Sequence, residues 1–206
     1  LEKLEINGFK SFATKNKLVF SGLIGEQKRG LTAIVGPNGS GKSNVADAIR
    51  WALGEQSLKT LRGKKSEDII FSGSDKKGRL GSAEGSLHLN NNDKVFANKK
   101  TDLAEEKSEN SDSLNEILAT CNNISITRRI FRNGESEYLI NDNRARLADI
   151  QMLLAKASFG QKTYSVIGQG MVENFLTVSA SERKDFFDEA TGVKQFQIKR
   201  DSSLNK

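Results

Sequence analysis

Apolar and polar positions alternate at the start of the chain, with Leu4 and Ile6 set against Lys3 and Glu5. The run ends at Asn7-Gly8, so it predicts a half-buried first strand. Lys17 to Phe20 predicts a second short strand. Leu31-Thr32-Ala33-Ile34-Val35 is different: apolar and β-branched with no charged face, it predicts a strand buried inside a sheet. A glycine-rich loop follows at once, and the period then changes. Val45, Ala46, Ala48, Ile49, Ala52 and Leu53 recur at helical spacing, with Gly54 where a helix C-terminus places it.

Further along, Ile69-Ile70-Phe71 and Leu87 to Leu89 predict short strands separated by a mobile polar stretch, Ser72 to Gly78. Ile124 to Arg132 and Ser136 to Asn141 flank Asn133-Gly134-Glu135, a hairpin whose Asn-Gly takes positive φ readily. Arg146 to Ala157 predicts a helix with Leu147, Ile150 and Leu154 on one face. Ser179-Ala180-Ser181-Glu182 has the spacing of a capping box and opens a helix carrying Phe186, Phe187 and Ala190. A last helical pattern starts at Val193, carries Phe196 and Lys199-Arg200, and runs to Lys206. Between these elements, roughly Asn90 to Ser113 has too few large apolar residues to offset its ordering entropy and is expected to be a polar, disordered insert. Leu114, Ile117 and Leu118 could form one helical turn.

Composition narrows the classes. No apolar run approaches the ~20 residues that span a bilayer, and the first residues lack a signal-peptide pattern, so a soluble cytoplasmic protein is expected. Cys121 is the only cysteine and His88 the only histidine, so neither a disulfide framework nor a Cys/His zinc site can form within one chain. His88 lies between Leu87 and Leu89 and is expected to point off a half-buried strand rather than serve a catalytic triad. The formal charge of +6 is uneven. Asp93 to Glu116 holds seven acids and four lysines, hence −3, which leaves +9 on the rest. A basic body suits a polyanionic partner, and equally suits solubility alone.

The chemistry is concentrated in Gly36-Pro37-Asn38-Gly39-Ser40-Gly41-Lys42-Ser43, a complete phosphate-binding loop between an expected strand and an expected helix. Gly36, Gly39 and Gly41 let backbone N–H groups turn inward as an anion-binding nest. The helix beginning near Lys42 points its positive N-terminus at the same place. Lys42 is expected to reach the β- and γ-phosphates and the Ser43 hydroxyl to ligate Mg²⁺. Pro37 stiffens the loop entry, and it is the single proline of the chain, where average usage predicts about ten. Hydrolysis at such a site also needs an acid after a second buried strand. No run of four or more apolar residues followed by Asp or Glu occurs; Phe186-Phe187-Asp188-Glu189 is nearest and falls inside a helical pattern.

Several further blocks, in order, match one family. Gly8-Phe9-Lys10-Ser11-Phe12, the loop Gly36 to Asn44, Ile49 to Glu55, Leu61-Arg62-Gly63, Asp68 to Phe71, Thr127-Arg128-Arg129, Gly134 to Asn141, Tyr164 to Gly170 and Ala190 to Val193 resemble the N-terminal half of the head of an SMC (structural maintenance of chromosomes) protein, nearest the bacterial type. The resemblance runs from about Leu1 to Arg200. It implies an α/β fold: the N-terminal lobe of an ABC-type ATPase head, a mixed or antiparallel sheet plus phosphate-loop strand and helix, over residues 1–192, with a coiled-coil helix starting at 193–206. The insert at 90–113 departs from the compact heads of the family.

The resemblance further implies ATP and Mg²⁺ as cofactors, with Gly36, Pro37, Asn38, Gly39, Ser40, Gly41, Lys42, Ser43 and Asn44 around the nucleotide. Gln169 would touch Mg²⁺ and the attacking water, and Arg62 would link ATP state to DNA and head engagement. The acid and the signature motif would come from the C-terminal half of the same head, beyond a coiled coil and hinge. Implied partners are that half, a second copy joined through the hinge and ATP-sandwiched heads, a kleisin-type subunit and DNA contacted without sequence preference, in a nucleoid-associated protein away from membranes. Three basic clusters are candidates for DNA phosphates: Lys59-Arg62-Lys64-Lys65, Arg128-Arg129-Arg132 and Lys194-Lys199-Arg200. The alternative is a head fragment of a related coiled-coil repair ATPase, of the RecN or zinc-hook type. A self-sufficient P-loop phosphotransferase is disfavoured by the missing acid.

Overall fold

In the computed structural model, which describes residues 1–20, 31–92, 120–156, 166–167, 177, 179–190, 193, 197, 200 and 204, the period-two pattern at the N-terminus forms β1 (Lys3–Asn7), with Leu4 and Ile6 essentially inaccessible to solvent. The other strands are β2 (Asn16–Val19), β3 (Ser82–Asn90), β4 (Asn123–Phe131), β5 (Ser136–Ile140) and β6 (Asn143–Ala145). They make one six-stranded sheet in the order β2-β1-β3-β4-β5-β6. β1 runs antiparallel to β2 and β3, and β5 antiparallel to β4 and β6. The register places Leu4 beside Leu18 and Leu87, and Ile6 beside Gly85, so apolar residues of three strands share one face.

Helix α1 (Lys42–Ala52) packs on that face. Its Val45, Ala48, Trp51 and Ala52 are buried, and the Trp51 ring lies 5.1 Å from that of Phe9. A Cβ at Gly85 would stand 3.2 Å from Trp51 Cζ3, so the absence of a side chain there lets the strand pass close beneath the indole without displacing it. Helix α2 (Leu147–Lys156) buries Ile150, Leu153 and Leu154, and α3 (Ala180–Ala190) follows Ser179 as the capping spacing predicts. The chain divides into two units, one of residues 1–90 with 125–150, the other of 91–124 with 151–206. In the second, Asn91 bonds the carbonyls of Asn122 and Cys121, and the Gln197 amide reaches Asp188 at 2.9 Å.

Several expectations are corrected. Leu31 to Val35 is not a buried strand: it forms no ladder, and Leu31 and Val35 are 93% and 88% exposed. Its hydrophobicity states that something must cover it, and no described residue does. Ile69 to Phe71 is not a strand either. Ser66–Ile69 is a single 3-10 turn, in which the Asp68 carboxylate accepts the N–H groups of Lys64 and Lys65, and Ile70 makes only an isolated bridge to Phe9. Leu87 to Leu89 is the end of a nine-residue strand, whose Gly85 and Ser86 conceal its period. The polar stretch after Phe71 contains a defined turn closed by Ser74 and Lys77. Strand β6 was not legible; Asn141 and Asp142, both at positive φ, turn the chain into it. The insert starts later than expected, since Asn90 ends β3 and Asn91 is buried; its residues 93–113, the turn at 114–118 and most of the terminal helical pattern lie outside the described residues.

His88 sits on the opposite face of β3 from Leu87, beside Lys3 of β1. Burial, helped by the Lys3 ammonium, pushes its pKa below the ordinary 6.5. A base with a lowered folded pKa stabilises the fold fully above 6.5 and loses that contribution as the pH falls through the folded value. The one imidazole resonance of this chain is therefore expected to titrate below 6.5 when folded and at about 6.5 in urea, which proton NMR reads directly.

Candidate nucleotide-binding site

The loop Gly36 to Gly41 enters α1 without an acidic residue in the helix's first turn and without a side-chain cap on its N-terminus. Gly41 holds φ +91° as the residue before the helix, and Gly39 holds +82°. The Gly41 carbonyl takes the N–H groups of Asn44 and Val45, at 2.9 and 3.3 Å. Among the described residues nothing accepts from the N–H groups of Gly39, Gly41, Lys42 and Ser43, so this end of the helix keeps free donors and its positive dipole end.

Lys42 bends back over the loop, and its ammonium donates to the carbonyls of Gly36 at 2.6 Å and Pro37 at 2.7 Å. A cation is thus already seated at the mouth of the nest. A Cβ at Gly36 would meet Ser40 Oγ at 2.8 Å, and one at Gly41 would meet Ser11 Oγ at 3.0 Å, so side chains at these positions would fill the cradle. Free N–H donors, a cationic side chain and a hydroxyl at Ser43 fit a polyphosphate with its magnesium. Asn38 and Ser40 lie on the loop and Ser43 in the first turn of α1; Gln169 lies outside the described residues.

Arg62 is drawn to the same region. The loop before it is stapled by buried Leu61 and closed by the Gly63 N–H on the Leu58 carbonyl at 2.8 Å. Arg62 itself has φ +54°, an uncommon conformation for a side chain this large. Its Nη2 contacts Asn44 Oδ1 at 3.2 Å and Asp47 Oδ2 at 2.6 Å, and its Nε contacts the same Asp47 oxygen at 3.0 Å. Asn44 in turn donates to Ser11 Oγ at 2.8 Å. The structure therefore brings Arg62 onto the first turns of α1, which the spacing of 18 residues from Asn44 to Arg62 does not reveal.

Asp47 was missed in the sequence, although an acid one turn into an otherwise apolar helix face is a signal. It is 3% exposed and carries Lys10 as a second partner, at 2.5 Å. Lys10 also donates to the Leu61 carbonyl, and it too sits at positive φ.

The Arg128-Arg129-Arg132 cluster is not available for phosphate as a unit. Arg128 is 5% exposed, stacked between Trp51 and Tyr138 at 5.1 and 5.0 Å. Its Nη1 caps the C-terminus of α1 at the carbonyls of Trp51 (3.0 Å) and Glu55 (2.7 Å). Arg129 pairs with Glu84, and Arg132 donates to the carbonyls of Leu80 and Phe71. Three successive-looking cations are structural because cross-strand and helix-end acceptors lie under them. Of the remaining clusters, Lys59, Arg62, Lys64 and Lys65 belong to the described residues, and Lys194 and Lys199 lie outside them.

The family model described as the RecF/RecN/SMC N-terminal domain matches residues 1–178. The chain is 43% identical to the chromosome partition protein Smc of Bacillus subtilis and 42% identical to that of Clostridium kluyveri, in each case over all of this chain and 15% of the relative. The chain thus spans about 15% of the length of the curated relatives it matches. Among solved structures, the Smc head domain of Pyrococcus furiosus, with an extended coiled coil and bound to the C-terminal domain of ScpA, superposes with a TM-score of 0.74 at 33% identity, covering 99% of this chain and 44% of that one. A chain from work on ATP-driven dimerization and DNA-stimulated activation of SMC ATPases superposes at 0.70 with 32% identity, covering 91% of this chain and 97% of that one. The antiparallel sheet with its helices is the fold of the N-terminal lobe of such heads.

Proposed function

This chain belongs to the RecF/RecN/SMC N-terminal domain family, and we propose that it is the ATP-binding half-site of an SMC-type ATPase that partitions chromosomes. The observation that carries the proposal is the loop itself, with Lys42 seated over it and free N–H donors at the head of α1. In this reading the nest and the α1 dipole bind the phosphates, Lys42 turns from the Gly36 and Pro37 carbonyls to the β- and γ-phosphates, and the Ser43 hydroxyl holds Mg²⁺ with Gln169. Magnesium, when bound, neutralises charge developing on the transferred phosphoryl group. The names of the relatives support chromosome partition over the repair-ATPase alternative.

The C-terminal half of the head supplies the acid and the signature motif absent from this sequence, and its sheet covers Leu31 to Val35. That exposed apolar run is what a strand awaiting its neighbours looks like. Two such heads would close on two ATP molecules. The P. furiosus head binding ScpA supports a kleisin-type partner, and the basic loop with Lys59, Lys64 and Lys65 is a surface for DNA phosphates. Residues 1–192 make the lobe and 193–206 begin the coiled coil. No helix among the described residues is long and apolar enough to cross a membrane.

Steady-state ATP hydrolysis separates this reading from a self-sufficient enzyme. The chain alone is expected to turn over negligibly, and mixing with the C-terminal half should restore multiple turnover. Robust hydrolysis by the chain alone, abolished by Lys42→Ala, would overturn the half-site.

A further inference from the structure

The sequence holds three Asn-Gly pairs, Asn7-Gly8, Asn38-Gly39 and Asn133-Gly134, and the fold treats them differently. Such a pair is chemically labile, because the glycine has no Cβ to keep its amide nitrogen from the asparagine side-chain carbonyl carbon. Ring closure between the two needs an N–H that is not engaged, a side chain free to turn and a backbone free to bring them together.

At Asn7-Gly8 the backbone is fixed. Asn7 lies opposite Glu84 in the ladder of β1 and β3, and Gly8 is buried with its carbonyl on the Phe71 N–H at 2.7 Å. A Cβ there would stand 2.3 Å from the Ser82 carbonyl oxygen, so the chain has no room to swing. At Asn133-Gly134 both reacting groups are occupied: the Gly134 N–H donates to the Phe131 carbonyl at 3.0 Å, and Asn133 Oδ1 accepts the Glu135 N–H at 3.0 Å. Asn38-Gly39 has neither restraint. Both residues are exposed, no described residue bonds the Asn38 side chain or the Gly39 N–H, and a Cβ at Gly39 would meet nothing within 4 Å. Their turn is closed by the Ser40 N–H on the Pro37 carbonyl at 3.3 Å, a bond that uses neither reacting group.

We propose that Asn38 is a self-modification site at which the loop loses its affinity for phosphate with age, and that bound nucleotide holds the reaction back. The Gly39 nitrogen gives up its proton and bonds to Asn38 Cγ. The Cγ–Nδ2 bond breaks, and Nδ2 leaves as ammonia with the equivalent of that proton. Water then opens the succinimide: at Cγ it leaves an aspartate, and at the main-chain carbonyl an isoaspartate with an additional methylene in the backbone. Nothing is oxidised or reduced. Either product puts a carboxylate on the rim of an anion nest. Lys42 already touches the adjacent Pro37 carbonyl at 2.7 Å, so the new carboxylate repels phosphate and also competes with it for the ammonium. A bound phosphate accepts the Gly39 N–H and keeps the nitrogen from attacking. This protection, unlike the reaction itself, rests on the nucleotide-binding reading of the loop.

The test is ageing of the 206-residue chain at mildly alkaline pH, with and without Mg·ATP, followed by peptide mapping by mass spectrometry. Taken against each site's own rate in urea, Asn38 of the folded chain should deamidate about tenfold faster than Asn133, whose two hydrogen bonds must break first. Mg·ATP at about ten times its Kd should slow Asn38 about tenfold and leave Asn133 unchanged. Asn38→Asp, which fixes one product, should weaken Mg·ATP binding about three- to fivefold, the scale of one exposed charge, with the circular dichroism spectrum unchanged. Reaction at Asn7 or Asn133 as fast as at Asn38 overturns the proposal, as does an affinity that Asn38→Asp leaves unmoved. Lys42-dependent binding of Mg·ATP that does not slow Asn38 overturns the protection and keeps the nucleotide reading. Fast reaction at Asn38 with no binding of Mg·ATP overturns that reading and keeps the modification site.

Discussion

Replacing Arg128 by methionine lowers the unfolding free energy of this chain by about 2–4 kcal/mol, read from urea denaturation by circular dichroism. The guanidinium serves two carbonyls and two rings at once. It satisfies the carbonyls of Trp51 and Glu55 at the end of α1, where the helix dipole is negative, and it lies between the rings of Trp51 and Tyr138. The Trp51 carbonyl keeps the Gly54 N–H at 3.1 Å, but the Glu55 carbonyl loses its charged donor at ~1–3 kcal/mol, and the two ring contacts add ~1–2 kcal/mol. Burial opposes them, since it holds the Arg128 pKa below the ordinary arginine value, and methionine recovers that desolvation together with most of the packing volume. The Glu55 carbonyl and the two ring contacts outweigh that recovery. A loss below ~0.5 kcal/mol, the range of neutral surface substitutions, would show that Arg128 is a bystander. Lysine should not rescue, as it lacks the flat surface that two rings can face.

Lys42→Ala gives the opposite signature, a large loss of ligand with little loss of fold. The ammonium contacts only the Gly36 and Pro37 carbonyls on an exposed loop, so unfolding should shift by no more than ~0.5 kcal/mol. Each hydrogen bond to a charged group contributes ~1.5–3 kcal/mol, so losing the lysine should weaken Mg·ATP binding by roughly 10- to 150-fold. Isothermal titration calorimetry of the head assembled with its C-terminal half measures this directly. An unchanged affinity would mean that the loop does not hold phosphate. The pair of substitutions thus separates scaffold from candidate site: Arg128 holds the C-terminal end of α1, and Lys42 stands over the loop at its N-terminus.

The two cationic positions also show why composition misleads. In the sequence, Arg128 and Arg129 are adjacent charges on an alternating strand and suggest a basic surface. In the fold, Arg128 faces the helix and Arg129 faces Glu84 across the sheet, because successive side chains of a strand point to opposite faces. The partners of Arg128, at Trp51 and Glu55, are more than 70 residues away in the chain. No local pattern reports such a pairing. Asp47 is similar: its acid is visible, but Lys10 and Arg62 meet on it only because the turn after β1 and the loop closed by Leu61 arrive at the same side of α1.

What was legible beforehand is what depends on neighbours within a few residues. The loop Gly36 to Ser43 is contiguous, and the positive φ of Gly39 and Gly41 and the start of α1 at Lys42 are backbone features that these eight residues specify by themselves. The alternation of β1, the helical spacing of α1 and the Asn-Gly hairpin are local for the same reason, and all three appear where expected. Tertiary structure alone decided the nine-residue length of β3, the strand β6, the burial of Arg128 and the meeting of Lys10, Asp47 and Arg62. It also decided the exposure of Leu31 to Val35, for an apolar sequence records the need to be covered and not the chain that does the covering.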